Sequence, residues 1–355
     1  MARPASPHPG RLVLLLGIVG LVLGVWGGLV RIGWAWPVPS AVLLGIHGPL
    51  IVSGFVGTLV SVERAIGLGR RWAYAPPLLT GFGSLALLVP PLAAYAPYAV
   101  LTGGAAFVAV LAVIARRQPA AAAGAMIAAA LLWTAGNALW VHGFPVPRLA
   151  PWWIAFIVLL IAGERRELSR VVRLSAASRA SFGGAVALLA ATTVSTFVDF
   201  DLGMRAFGIG LVCLAMWLLT QDIARRSVAA GGLPRFMAAG LLLGYVWLGA
   251  AGVALVHVGG VPAGPGYDLV LHAVFLGFVF SMIFAHAPII FPSLLGRPIP
   301  YRAAFWAPLV LLHGSLALRV AGDLLSSADA RLWGGLLNGV SVLAFFLVQV
   351  AAART

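Results

Sequence analysis

Seven histidines are set into a chain that is otherwise strongly apolar, and they are the residues with the most chemistry to offer. Two fall in the stretch YDLVLHAVFLGFVFSMIFAHAPIIFPSLLGRPIPYR, residues 267 to 302, as His272 and His286. An ionisable side chain within hydrocarbon costs free energy, so each is a functional candidate by default. A neutral imidazole is a common metal ligand, and two imidazoles on opposing helices can hold a haem iron from both faces. Cys213 is the single cysteine, which excludes an internal disulfide and a cysteine-rich metal cluster.

The elements that position these histidines follow from composition. Of 355 residues, 62% are hydrophobic and 9% charged, and the mean hydropathy is +1.04. Such a chain is an all-α integral membrane protein with the lipid bilayer as its first partner, because an isolated apolar segment in lipid must satisfy its own backbone hydrogen bonds. At about 20 residues per crossing, a single bundle of about twelve transmembrane helices is predicted. The spans are 12–33, 38–62, 74–93, 96–115, 119–142, 150–163, 180–198, 203–222, 234–258, 267–291, 303–322 and 332–352, the sixth being the shortest. Residues 163–179, GERRELSRVVRLSAASR, are the longest polar segment and divide the chain into two six-helix halves.

A net charge of +14 would suggest nucleic acid in a soluble protein, but here it is read by side of the membrane, and no nucleic-acid partner is expected. All 23 basic residues are arginine, and alternate assignment of the loops puts 18 on one side. Arg31, Arg148, Arg205, Arg319 and Arg331 remain on the other. The positive-inside rule then makes both termini cytoplasmic, in a bacterial inner membrane. The basic N-terminal start followed by a long apolar run is expected to be an uncleaved first helix. Trp34, Trp36, Trp72, Trp152 and Trp153 fall at predicted span ends, as interfacial belts do.

Orientation gives each histidine a depth. His47 is expected about 13 Å and His272 about 8 Å below the outer surface, on the second and tenth helices, where they can face each other. His142 and His257 close their helices on the same side. His286 lies fourteen residues past His272, about 21 Å deeper on nearly the same face. His313 is expected near the level of His286, and the two form a candidate second metal site, with an interhelical hydrogen bond as the alternative for His313. The alternative for His286 is to satisfy the carbonyls freed by Pro288. Gly54, two turns below His47, is expected to leave room for a macrocycle, with helix packing as the alternative. Arg319 and Arg331 flank the last outer loop, where they would meet haem propionates or pair with Asp323 and Asp329.

HAVFLGFVFSMIFAHAPIIFPSLLGRPI resembles the tenth-helix segment of the NnrS family of twelve-helix bacterial membrane proteins, through His272, Ala273, Gly277, Met282, Ala285 and Gly296-Arg297-Pro298. HGPLIVSGF, from His47 to Gly54-Phe55, is similar to that family's second helix. These motifs cover about a sixth of the chain. The resemblance implies haem of the b type, copper as a second metal, nitric oxide as a small gaseous ligand, and a part in nitrosative-stress protection or electron transfer with respiratory-chain partners. More distantly the chain resembles haem-copper oxidase subunit I, in which histidines of the second and tenth helices hold a low-spin haem. Where the NnrS family carries a second histidine and a glutamate, this chain has Pro49 and Leu50. A proton-coupled secondary transporter using His286 and His313, and an assembly factor for a respiratory complex, are the alternative functions.

Overall fold

The computed structural model describes residues 9–118, 122–168, 174–295 and 298–354. Among the described residues the main helices follow one another as α1 (Pro9–Ile32), α2 (Val42–Leu68), α3 (Ala75–Ala86), α4 (Ala96–Arg117), α5 (Ala123–Val141) and α6 (Val146–Leu168) in the first half. The second half has α7 (Ala176–Val198), α8 (Phe200–Gln221), α9 (Gly232–Val258), α10 (Pro265–His272, Ala273–Phe280 and Ser281–Leu295 in series), α11 (Trp306–Leu324) and α12 (Ala328–Ala353). All but α3 are long and apolar enough to cross a bilayer, and no strand occurs among the described residues. The protein is an all-α multi-pass membrane bundle. The end at which α1 gives way to α2 is called upper below, and its opposite lower. His8, Gly296 and Arg297, and residues 169–173 of the polar connector lie outside the described residues.

Two expectations about spans are corrected. The third is not one helix over 74–93: α3 ends at Ala86, and a separate turn, Pro90–Ala93, follows. Pro90 and Pro91 supply no amide donors, so the helix cannot run through them. The sixth span is far from short. It runs for 23 residues from Val146 to Leu168, and 78% of its apolar window is buried, more than for any other span. Pro147 sits in its first turn, where a missing N–H costs nothing, and Pro151 is absorbed within the helix.

That central position accounts for a third correction. Trp152 and Trp153 are buried on α6 and do not form part of an interfacial belt. The Trp153 indole donates to Asn137 Oδ1 on α5 at 3.0 Å. One apolar core runs from Val13 to Ala352 and takes in residues of both halves.

The two helices carrying His47 and His272 share an irregularity. In α2 the residues Leu50–Gly57, and in α10 the residues Ala273–Phe280, form π-helical turns. In α2 the cause is legible: Pro49 has no N–H to give and its ring presses on the preceding turn, so the chain widens beyond it. Phe55 and Phe280, one from each π segment, stack at 5.8 Å with planes 21° apart. This aromatic pair joins α2 to α10 midway along the bundle. Gly69, at φ 65°, then terminates α2 in the left-handed conformation that a residue without Cβ adopts freely.

Candidate functional site

His47 is the sixth residue of α2 and His272 the eighth of α10, so their helical positions differ in depth by only about 3 Å. Both line one cavity of about 270 Å³ at the upper end, lined by α1, α2, α10, α11, α12 and the first turn of α6. Its walls are largely glycine and aliphatic side chains. An added Cβ at Gly28 would stand 3.7 Å from His47 Cδ2, and one at Gly45 would meet nothing within 4 Å. Phe280 lines the cavity from below.

The hydrogen bonds fix which ring atoms are free. His272 Nδ1 lies 2.8 Å from the Asp268 carbonyl oxygen. A carbonyl only accepts, so Nδ1 carries the proton and Nε2 keeps its lone pair. The Asp268 carboxylate lies 3.4 Å from the same Nδ1, and Arg319 grips it from α11 through two N–H groups at 2.8 Å each. A histidine whose far nitrogen is held by a carbonyl and a carboxylate is arranged as metal-bound histidines are. His47 Nδ1, by contrast, is buried beside the Leu44 backbone without a hydrogen bond of good geometry.

Arg319 and Arg331 both line the cavity, yet each already faces a carboxylate. Arg331 meets Asp323 at 2.7 Å, while Arg319 turns to Asp268 across to α10 and away from its own loop. Arg31, at the end of α1, lines the same cavity and has no ion pair among the described residues. Sequence reading passed over Arg31, Tyr267 and Asp268 as site residues. Only the scarcity of arginine on that side pointed towards the first.

A family profile described as a domain of unknown function, DUF8744, matches residues 11–354. The chain belongs to this family. No curated protein matches it.

The remaining expected site residues of this DUF8744 chain lie elsewhere. Gly54 does not line the cavity: its Cβ position faces Ser84 at 3.0 Å and Gly20 at 3.9 Å, so it serves the packing of α2 on α3 and α1. His313 is engaged at both nitrogens. Its Nδ1 accepts from the Trp247 indole at 3.0 Å, so Nε2 bears the proton and donates to Ser281 Oγ at 3.1 Å. That hydroxyl passes on a bond to the Gly240 carbonyl at 2.7 Å. His286 donates from Nδ1 to the Met282 carbonyl at 2.9 Å and accepts at Nε2 from Arg165 at 3.0 Å. It does not bond the carbonyls freed by Pro288. No lone pair on either ring is left for a metal, and the five residues from Ser281 to His286 turn the two about 140° apart on α10. The structure therefore does not assemble the expected second metal site. Among the described residues no three histidine, cysteine or acidic side chains converge to hold a metal ion.

His286 belongs instead to a smaller pocket of about 70 Å³ at the lower end, between α2, α6 and α10. Arg165 crosses from α6 to hold Asp222 through two N–H groups at 2.8 Å, and Tyr245 of α9 donates to the same carboxylate at 2.9 Å. Val52 and Phe280 line the upper cavity, and Val56 and Val279 the lower pocket. The two spaces are thus stacked along the α2–α10 seam, with Phe55 and Phe280 between them.

Proposed function

We propose that the protein is a haem-binding membrane protein with His47 and His272 as the two axial ligands. One observation carries the reading: histidines from opposing helices, at matching depth, line one glycine-walled cavity, and the bond at His272 Nδ1 leaves its Nε2 free. When bound, haem would supply one-electron redox chemistry and affinity for small gases such as nitric oxide. The chain's own residues would orient and seal it. Asp268 and Arg319 hold His272 in the tautomer that presents Nε2. Arg31 would meet an anionic substituent at the rim, in the place first expected for Arg319 and Arg331. Phe280 and Phe55 would close the cavity from the lower half. The arginine distribution, which supports reading the upper end as the outer one of a bacterial inner membrane, and the likeness of HGPLIVSGF and HAVFLGFVFSMIFAHAP to NnrS segments support a role in nitric oxide handling or respiratory electron transfer.

The test is optical. Protein purified in detergent after expression with added haem should show Soret and α bands in a reduced-minus-oxidised spectrum. His47→Ala and His272→Ala should each lose or shift those bands while remaining monodisperse. A wild-type protein without either band rejects the assignment.

A further inference from the structure

The lower pocket holds a carboxyl that the proposed haem chemistry does not use. Glu63 lines it, together with Glu164, Arg165 and His286. The cations nearby are already committed. Arg64, next along α2, pairs with Glu164. Arg165 is bound to Asp222 and His286. Glu63 is left without an ion pair among the described residues. The rest of the wall is apolar, with Leu59, Ile157, Met282 and Phe291 prominent in it.

A carboxylate in such a place bears the cost of leaving water, and Glu164 on the same wall adds like-charge repulsion, while the adjacent Arg64, already paired with Glu164, offsets only part of that cost. A bound proton removes both. We infer that the lower pocket is a proton-binding site in which the Glu63 carboxyl carries the proton. The charged and titratable groups around it are Arg64 on α2, Glu164 and Arg165 on α6 with Glu167 one turn beyond, and His286 on α10. Asp222 of α8 and Tyr245 of α9 stand behind Arg165. His286 is the neutral tautomer, its one proton given to Met282, so it does not balance the Glu63 charge. The pocket volume of about 70 Å³ leaves room beside the carboxyl for a water, which needs roughly 15 Å³. None of this uses His47 or His272, so the inference and the haem assignment stand or fall separately.

Dicyclohexylcarbodiimide, an apolar reagent that attacks protonated carboxyls, tests it on the full-length protein in membranes, with adducts located by mass spectrometry. The expected result is an adduct on Glu63 in wild type, absent from Glu63→Gln. Above the carboxyl's titration point its yield should fall about tenfold per pH unit. Glu164, held by Arg64, should stay unmodified in the same digest. Folded wild-type protein with no adduct at Glu63, or with an adduct at Glu164 alone, overturns the inference. Protection of Glu63 by sodium at fixed pH would overturn it too, since the occupant would then be a metal cation. The wild-type adduct decides the matter even where Glu63→Gln fails to fold.

Discussion

Arg319 on α11 holds both carboxylate oxygens of Asp268 on α10 at 2.8 Å, and through that carboxylate it reaches His272. The arrangement gives Asp268 two tasks. Its backbone carbonyl accepts the His272 Nδ1 proton, and its side chain ties the upper turn of α10 to α11. Asp268→Asn keeps the backbone contact but withdraws the charge behind the ring. Loss of such a supporting partner lowers metal affinity by roughly 10–100-fold. Haem should pass from the variant to an excess of a haem-scavenging protein correspondingly faster, with the helical signal unchanged. Transfer at the wild-type rate would leave Asp268 no part in the site.

Arg31 is the cavity cation whose charge nothing answers within the described residues. It is exposed, so removing it should leave stability almost untouched. Arg31→Gln is expected to weaken the retention of an anionic ligand by about tenfold, the worth of one charge-assisted contact. Haem carrying esterified propionates should then bind wild type and variant alike. A variant that loses affinity equally for the ester and the acid would place the effect outside charge recognition.

Much of this arrangement was legible in the sequence, and what escaped did so for a physical reason. Hydropathy and the arginine pattern require a helical bundle, and helix rise alone puts His47 and His272 at similar depth, since both depend only on position along one strand of chain. The partners of Arg319 and His286 did not follow, because Asp268 and Arg165 lie on other helices and pairing is decided by rotation about helix axes. Gly54 reads equally as a cavity wall or a packing contact until its neighbour, Ser84, is known. Trp152 and Trp153 read as interfacial residues because they fall at the predicted end of the sixth span; the burial of α6 within the bundle is a property of the whole assembly. The π turn of α2 has a visible cause in Pro49, whereas nothing within Ala273–Phe280 announces the one in α10.

His313 joins Trp247 of α9 and Ser281 of α10 to α11 through one imidazole. Both ring nitrogens are engaged in these contacts, and its replacement is expected to have a structural signature. His313→Phe leaves the Trp247 N–H without an acceptor, at a cost of about 1–3 kcal/mol, and should lower the unfolding temperature in detergent. Metal and haem content per folded molecule should stay at the wild-type level. A fall in metal content at constant folded fraction would return His313 to the list of ligands.

The Arg165–Asp222 pair is the most deeply buried of the ion pairs, with side chains 5% and 1% exposed. Asp222 also accepts from Tyr245 and from the amide of Ala224, so one carboxylate ties α6, α8 and α9 together. Asp222→Leu strands a guanidinium in the bundle, and Arg165→Met strands the carboxylate and removes the donor to His286. Each single change should destabilise by roughly 3–5 kcal/mol. The double variant removes both charges and leaves neither to be solvated alone. It should therefore be more stable than either single variant, giving a large positive coupling in a double-mutant cycle measured by denaturation in detergent. Additive losses would mean that the charges reach water in the native state and that this end of the bundle is wetter than its packing implies.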